Sequence, residues 1–198
     1  MANVLALHAV CRSVATFLQN TYPEQVAGVT MPECRFDVVS AAQLAQPPDE
    51  ATRITLFLYR VTVNEHSRQP RPDPRRPGAL PPLSVDLHLL LSAWGATAAD
   101  EQQTLGWTLR QLHSHPILDA SSLTPEAGWS ADEVIQLVPA ELSTEDLMRI
   151  WDALEPGYRL SVSYIARTVR LDEPVSPDAR PVVATRFDWA RAVDGVSS

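Results

Sequence analysis

The chain has 198 residues, of which 45% are hydrophobic and 20% charged, with a formal net charge of −8 and no lysine. That length suits one domain with a short extension, whose core needs no disulfide or metal staple. The acidity argues against binding nucleic acid through its phosphates, and the apolar runs, such as "LHLLLSAW" (Leu87 to Trp94), are too short to span a bilayer.

The N-terminus "MANVLALHAV" has neither a basic n-region nor a small-residue cleavage site, so it reads as helix and not as a signal peptide. An amphipathic helix is expected over residues 3–22. Val4, Leu7, Cys11, Val14 and Leu18 recur at helical steps, Asn3 is a candidate cap, and Tyr22-Pro23 ends it. Cys11 and Cys34 sit in apolar contexts and read as buried free thiols. "CRFDVV" (Cys34 to Val39) starts in alternation as a half-buried strand, and "AAQLAQPPDEA" reads as a loop. "RITLFLYRVTVN" (Arg53 to Asn64) is a long, β-branched, aromatic strand of the sheet centre.

The stretch "SRQPRPDPRRPGALPP" (Ser67 to Pro82) follows, with six of the seventeen prolines and four of the sixteen arginines. It carries +3 of a chain whose net charge is −8, which leaves −11 on the rest. Such a contrast steers partners more than it decides fold. The prolines hold this arm extended before it docks and keep it from pairing as a regular strand. Arg68, Arg71, Arg75 and Arg76 offer bidentate contacts to carboxylates.

"LSVDLHLLLSAW" (Leu83 to Trp94) is the second long strand. Ser84, Asp86 and His88 alternate with Val85, Leu87 and Leu89 before the run turns wholly apolar, so one end should be buried on both faces. Beyond Gly95 a helix is expected with Asp100 as N-cap and Gln103 three residues on, Leu105, Leu109 and Leu112 buried, and Pro116 as the stop. A short strand lies near Val134 to Val138. A second capped helix has Ser143 at the cap, Asp146 at the third position, and Leu147, Ile150, Trp151 and Leu154 on its buried face. "YRLSVSYIARTVRL" (Tyr158 to Leu171) alternates as a strand. Trp94, Trp107, Trp129 and Trp151 read as core or core rim. The tail, residues 173–198, holds Phe187 and Trp189, aromatics that need a surface to pack on, such as a neighbouring subunit. The order specifies an α+β fold: a mixed, largely antiparallel sheet flanked by about three helices over residues 1–172.

The search for chemistry yields little. There is no dinucleotide fingerprint, P-loop or nucleophile elbow. His113 and His115 point to different faces and lack a completing ligand set, so they read as cations at a helix C-terminus; no metal or cofactor site is expected. Asp86 and His88 share a strand face and, with Arg60, define a small acid–base cleft as one alternative reading. Arg159 is expected to pair with Asp152 or Glu155. A second alternative is a non-catalytic adaptor whose proline-rich arm is a polyproline II ligand.

Three motifs in fixed order carry a family resemblance: "LYRV..N...R" from Leu58 to Arg68, "PPL..DLH.LL" from Pro81, and "RIWDALEPGYRLSVSY" from Arg149 to Tyr164. The chain resembles, over about residues 5–172, the N-terminal domain of the cap or tube-terminator proteins of extracellular contractile injection systems, which are phage-tail-like particles. The resemblance implies a non-enzymatic, tail-terminator-like protein. It would form a homo-oligomeric, six-fold ring on the last ring of the inner tube, stop tube growth and tie the tube to the sheath. It implies assembly in the cytoplasm as part of such a particle. Some relatives carry a further C-terminal domain, whereas about 26 residues follow Asp172 here. The protein-interface residues expected on this reading are Arg68, Arg71, Arg75, Arg76, Phe187 and Trp189.

Overall fold

The structure is a computed structural model that describes residues 2–46, 51–64, 82–154 and 156–171. Its centre is a six-stranded sheet in the order β3-β4-β5-β8-β7-β6. Chain order begins with α1 (Ala6–Thr21), the hairpin β1 (Gln25–Val26) and β2 (Val29–Thr30), β3 (Arg35–Val39) and α2 (Ala41–Leu44). It continues with β4 (Arg53–Val63), β5 (Leu83–Trp94), α3 (Ala98–Ser114), β6 (Ile117–Asp119), a 3-10 turn (Pro125–Ala127), β7 (Val134–Ala140), α4 (Thr144–Leu154) and β8 (Ser161–Leu171). Only β3 and β4 run parallel; every other neighbouring pair of this sheet is antiparallel. The expected α+β class and mixed sheet are therefore present, with four α-helices among the described residues.

Several local expectations are corrected. The first helix starts at Ala6, not Asn3, and Val4 is 84% exposed. Asn3 still caps the approach: its Oδ1 accepts the Leu5 N–H at 2.8 Å and its carbonyl accepts the Ala6 N–H at 3.0 Å. The segment read as a loop after Val39 opens with α2, held by a capping box between Ser40 and Gln43. In α3 the N-cap is Thr97, and Asp100 is the third helical residue. The N–H of Asp100 reaches Thr97 Oγ1 at 3.2 Å, while its carboxylate takes the Thr97 N–H at 3.2 Å. The α4 cap is as expected, with the Asp146 N–H donated to Ser143 Oγ at 3.1 Å.

The two faces of the sheet bury different helices. Leu87, Leu89, Leu91 and Ala93 of β5 join Val10, Cys11, Val14 and Leu18 of α1 and Leu105 and Leu112 of α3 in the main core. Leu90 and Trp94 point the other way and meet Leu44 of α2 with Trp151 and Leu154 of α4. Each fully buried leucine contributes about 2 kcal/mol relative to exposure. The apolar end of β5 is thus buried on both faces, as its composition requires. Trp94 and Trp151 lie within the second cluster, ring centroids 6.2 Å apart, and Trp107 and Trp129 pack on the rim of the first.

Cys11 and Cys34 are both buried and unbridged. Burial pushes their thiols up, to about 11 and about 12. Arg159 pairs with Glu101 at 3.7 Å and lies over the Trp94 ring at 4.7 Å; Glu155, one of its two expected partners, lies outside the described residues. His115 is the α3 C-cap, with Nδ1 3.2 Å from the Gln111 carbonyl and its ring edge against Phe17. Among the described residues no group of three His, Cys, Asp or Glu is placed to hold a metal, and no described helix is long and apolar enough to cross a membrane.

Candidate interaction surface

Helices α2 and α4 cover only the part of their sheet face near Leu90 and Trp94. The rest of that face mixes half-buried and exposed side chains, and strand register shows what it carries. Ile117 lies opposite Gln136, which lies opposite Arg167. Asp119 lies opposite Val134. Ile165 lies opposite His88, which lies opposite Arg60, and Asp86 lies opposite Thr62. Residues directly opposite in an antiparallel pair share a face. Arg60, Gln136 and Arg167 are exposed. So are Ile117, at 56%, and Val134, at 52%. Beneath this surface Leu118, Ile135 and Leu137 point into the main core.

Two β-bulges shape the face. Tyr59 is the extra residue of β4 between the Leu58–Leu89 and Arg60–His88 pairs. It spends its hydroxyl on Ser163 Oγ at 3.0 Å. In β8, Arg167 and Thr168 together oppose Asp86, between the Val85–Val169 and Leu87–Ala166 pairs. Thr168 takes φ 64°, a left-handed conformation disfavoured for a β-branched residue. The Asp86 carboxylate holds that turn. Its Oδ1 accepts the Thr168 N–H at 3.0 Å, and both its oxygens accept from Asn64 Nδ2, at 3.1 and 3.3 Å.

The Asp86–His88 pair is therefore engaged in structure. His88 Nε2 sits 3.1 Å from Thr62 Oγ1, and its ring meets the Tyr59 ring edge-on at 5.8 Å. Burial first, then the Arg60 and Arg167 guanidinium groups, hold its pKa below the ordinary value despite Asp86. Two clefts of about 360 Å³ lie elsewhere. One is between the β1–β2 hairpin and α3, around Trp107; the other is beside Leu142 and Leu147. Neither is lined by Asp86, His88 or Arg60. The face is a mixed basic and apolar patch suited to a protein partner, not a concave site that encloses a small molecule.

Of the interface residues expected from sequence, Arg68, Arg71, Arg75, Arg76, Phe187 and Trp189 lie outside the described residues. The described strands nevertheless locate the arm's roots. It leaves after Val63 and returns at Leu83, on the end of the sheet where the open face lies. Sequence reasoning missed Arg167 and Gln136 as surface-forming residues. Their signals were the polar positions within "VIQLVPA" and "YIARTVRL", but their neighbours come from distant strands.

The six-stranded mixed sheet with helices packed on both faces is an α+β fold shared with tube-terminator structures. It superposes on the sheath/tube terminator of the PVC extracellular contractile injection system in its extended state, with a TM-score of 0.60 and 16% identity. That match covers 100% of this chain and 66% of the other. It also superposes on the tube-terminating cap of the anti-feeding prophage, with a TM-score of 0.53 and 18% identity, covering 90% of this chain and 60% of the other. The chain thus spans about two thirds or less of the length of these structures. The chain belongs to the Pvc16 N-terminal domain family, whose model matches residues 9–185. A search of curated protein sequences gave no match.

Proposed function

We propose that this chain is a structural cap of a contractile injection particle, seated on the end of the inner tube, where it stops tube growth and joins tube to sheath. The observation that carries this reading is membership of the Pvc16 N-terminal domain family over residues 9–185, supported by the superposition on a sheath/tube terminator. The physical character of the chain agrees. The Asp86–His88 pair is occupied by structural bonds, and the open sheet face is built for a broad protein contact.

The cap works as a homo-oligomer, a ring of six subunits, which matches the symmetry of a closed head-to-tail assembly. It assembles in the cytoplasm on a completed tube and needs no cofactor and no catalysis. The arm of residues 67–82 reaches an acidic surface of tube, sheath or neighbouring cap through Arg68, Arg71, Arg75 and Arg76, and Phe187 and Trp189 of the tail pack on an adjoining subunit. Replacing Arg71, Arg75 and Arg76 with serine weakens attachment of the cap to the particle. Retention of the variant on purified particles, measured against wild type, tests this, and equal retention would remove the arm from the contact.

A further inference from the structure

The open sheet face carries a cluster of guanidinium groups. Arg60 and Arg167 flank His88, and Arg170 stands opposite Ser84 on the same side. Among the described residues none of these three arginines forms a salt bridge. Asp86, on the same face, is already committed to the Thr168 amide and to Asn64, while Asp132 interacts with Arg170. Ile117 and Val134 extend the patch with exposed apolar area.

The opposite polarity sits at the other end of the same sheet face. The outer side of α4 and its approach present Glu141, Glu145, Asp146 and Asp152 against one guanidinium, Arg149. Glu145 and Arg149 form an ion pair at 2.6 Å with both side chains at least 70% exposed. Met148, 38% exposed, adds an apolar contact on that surface.

We propose that the open sheet face of one copy, centred on Arg60 and Arg167, receives the acidic outer surface of α4 of a second copy. This names the surfaces behind the ring reading above and rests on it. A two-fold contact of open face on open face would bring the arginines of both copies together, and like charges at an interface core are repelled. The head-to-tail arrangement instead meets charge with its complement and uses two different patches, which is what closure into a ring requires. Guanidinium pairs with carboxylates in bidentate geometry, and the flanking Ile117, Val134 and Met148 exclude water from them.

The test is a charge swap in the purified chain, followed by sedimentation velocity at low and high salt. Arg60→Glu with Arg167→Glu, and separately Glu145→Arg with Asp152→Arg, each weaken self-association by about tenfold or more. Every substituted side chain is exposed, and thermal melting confirms that both variants stay folded. An equimolar mixture of the two variants restores association, since each reversed face then meets a reversed helix. The proposal is overturned by a wild-type chain that stays monomeric at the highest concentration reached, by variants that associate like wild type, or by a mixture that stays apart. No tube is present in this experiment. Its failure therefore leaves the capping role standing, and normal association with uncapped tubes would instead remove that role.

Discussion

Asp86 makes the sharpest local prediction, because its two possible roles, in chemistry or in holding a bulge, give different energies. The carboxylate accepts the Thr168 N–H at 3.0 Å and the Asn64 amide at 3.1 and 3.3 Å. Hydrogen bonds to a charged group are worth about 1.5–3 kcal/mol each, and a partly exposed site recovers some of that from water. Thr168 at φ 64° adds about 1 kcal/mol of strain that the bond helps to hold. Asp86→Ala should therefore destabilise by about 2–3 kcal/mol. Asp86→Asn, which keeps an acceptor for the Thr168 N–H, should cost about half as much. Thr168→Gly, which removes the backbone penalty, should offset about 1 kcal/mol of the loss when added to Asp86→Ala. Urea unfolding followed by tryptophan fluorescence gives all four values. A midpoint for Asp86→Ala within about 0.5 kcal/mol of wild type would refute the bulge-holding role.

Three further predictions follow from single residues. Ala27, at φ 50° beside Gly28 at φ 83°, occupies the first left-handed position of the two-residue β1–β2 turn, so Ala27→Gly should stabilise by up to about 1 kcal/mol in the same unfolding assay. The folded pKa of His88 lies below its ordinary 6.5, so the unfolded chain takes the proton first. Its contribution to stability is therefore lost as pH falls below 6.5 toward the folded value, and His88→Asn should melt at a temperature that declines less than wild type across that window. Cys11 and Cys34, buried and raised to about 11 and about 12, should resist a thiol reagent near neutral pH and react as two thiols once urea unfolds the chain; fast labelling of the folded chain would contradict their burial.

Much of the fold was legible because local signals and tertiary demands agree. The β5 pattern of polar Ser84, Asp86 and His88 giving way to "LLLSAW" announced that helices cover only one end of the second face, and α2 and α4 do so. Ser143 and Asp146 marked the start of α4 correctly. The α3 start was less clear, because both Thr97–Asp100 and Asp100–Gln103 satisfy the spacing of a cap. The earlier one wins where Gly95 brings the chain tightly against Asp100 and Glu101: a Cβ there would lie 3.1 Å from either side chain. The β1–β2 hairpin, β6 and α2 are too short for periodicity to reveal, although the Ser40–Gln43 box was a usable sign of α2.

The interaction surface was the least legible part. Arg60 and Arg167 come together only through the register of β4, β5 and β8, and two bulges set that register. A bulge moves later side chains to the opposite face, so no reading of one strand alone could place them. The strand ends that flank the arm in sequence, Val63 and Leu83, lie beside the surface that sequence did not reveal.

The most direct test of the capping role is the length of the inner tube. Particles assembled without this protein should carry tubes of broad and extended length that separate from their sheaths, and supplying the chain in trans should restore a single narrow length seen by electron microscopy. Tubes of unchanged, uniform length in its absence would contradict the role.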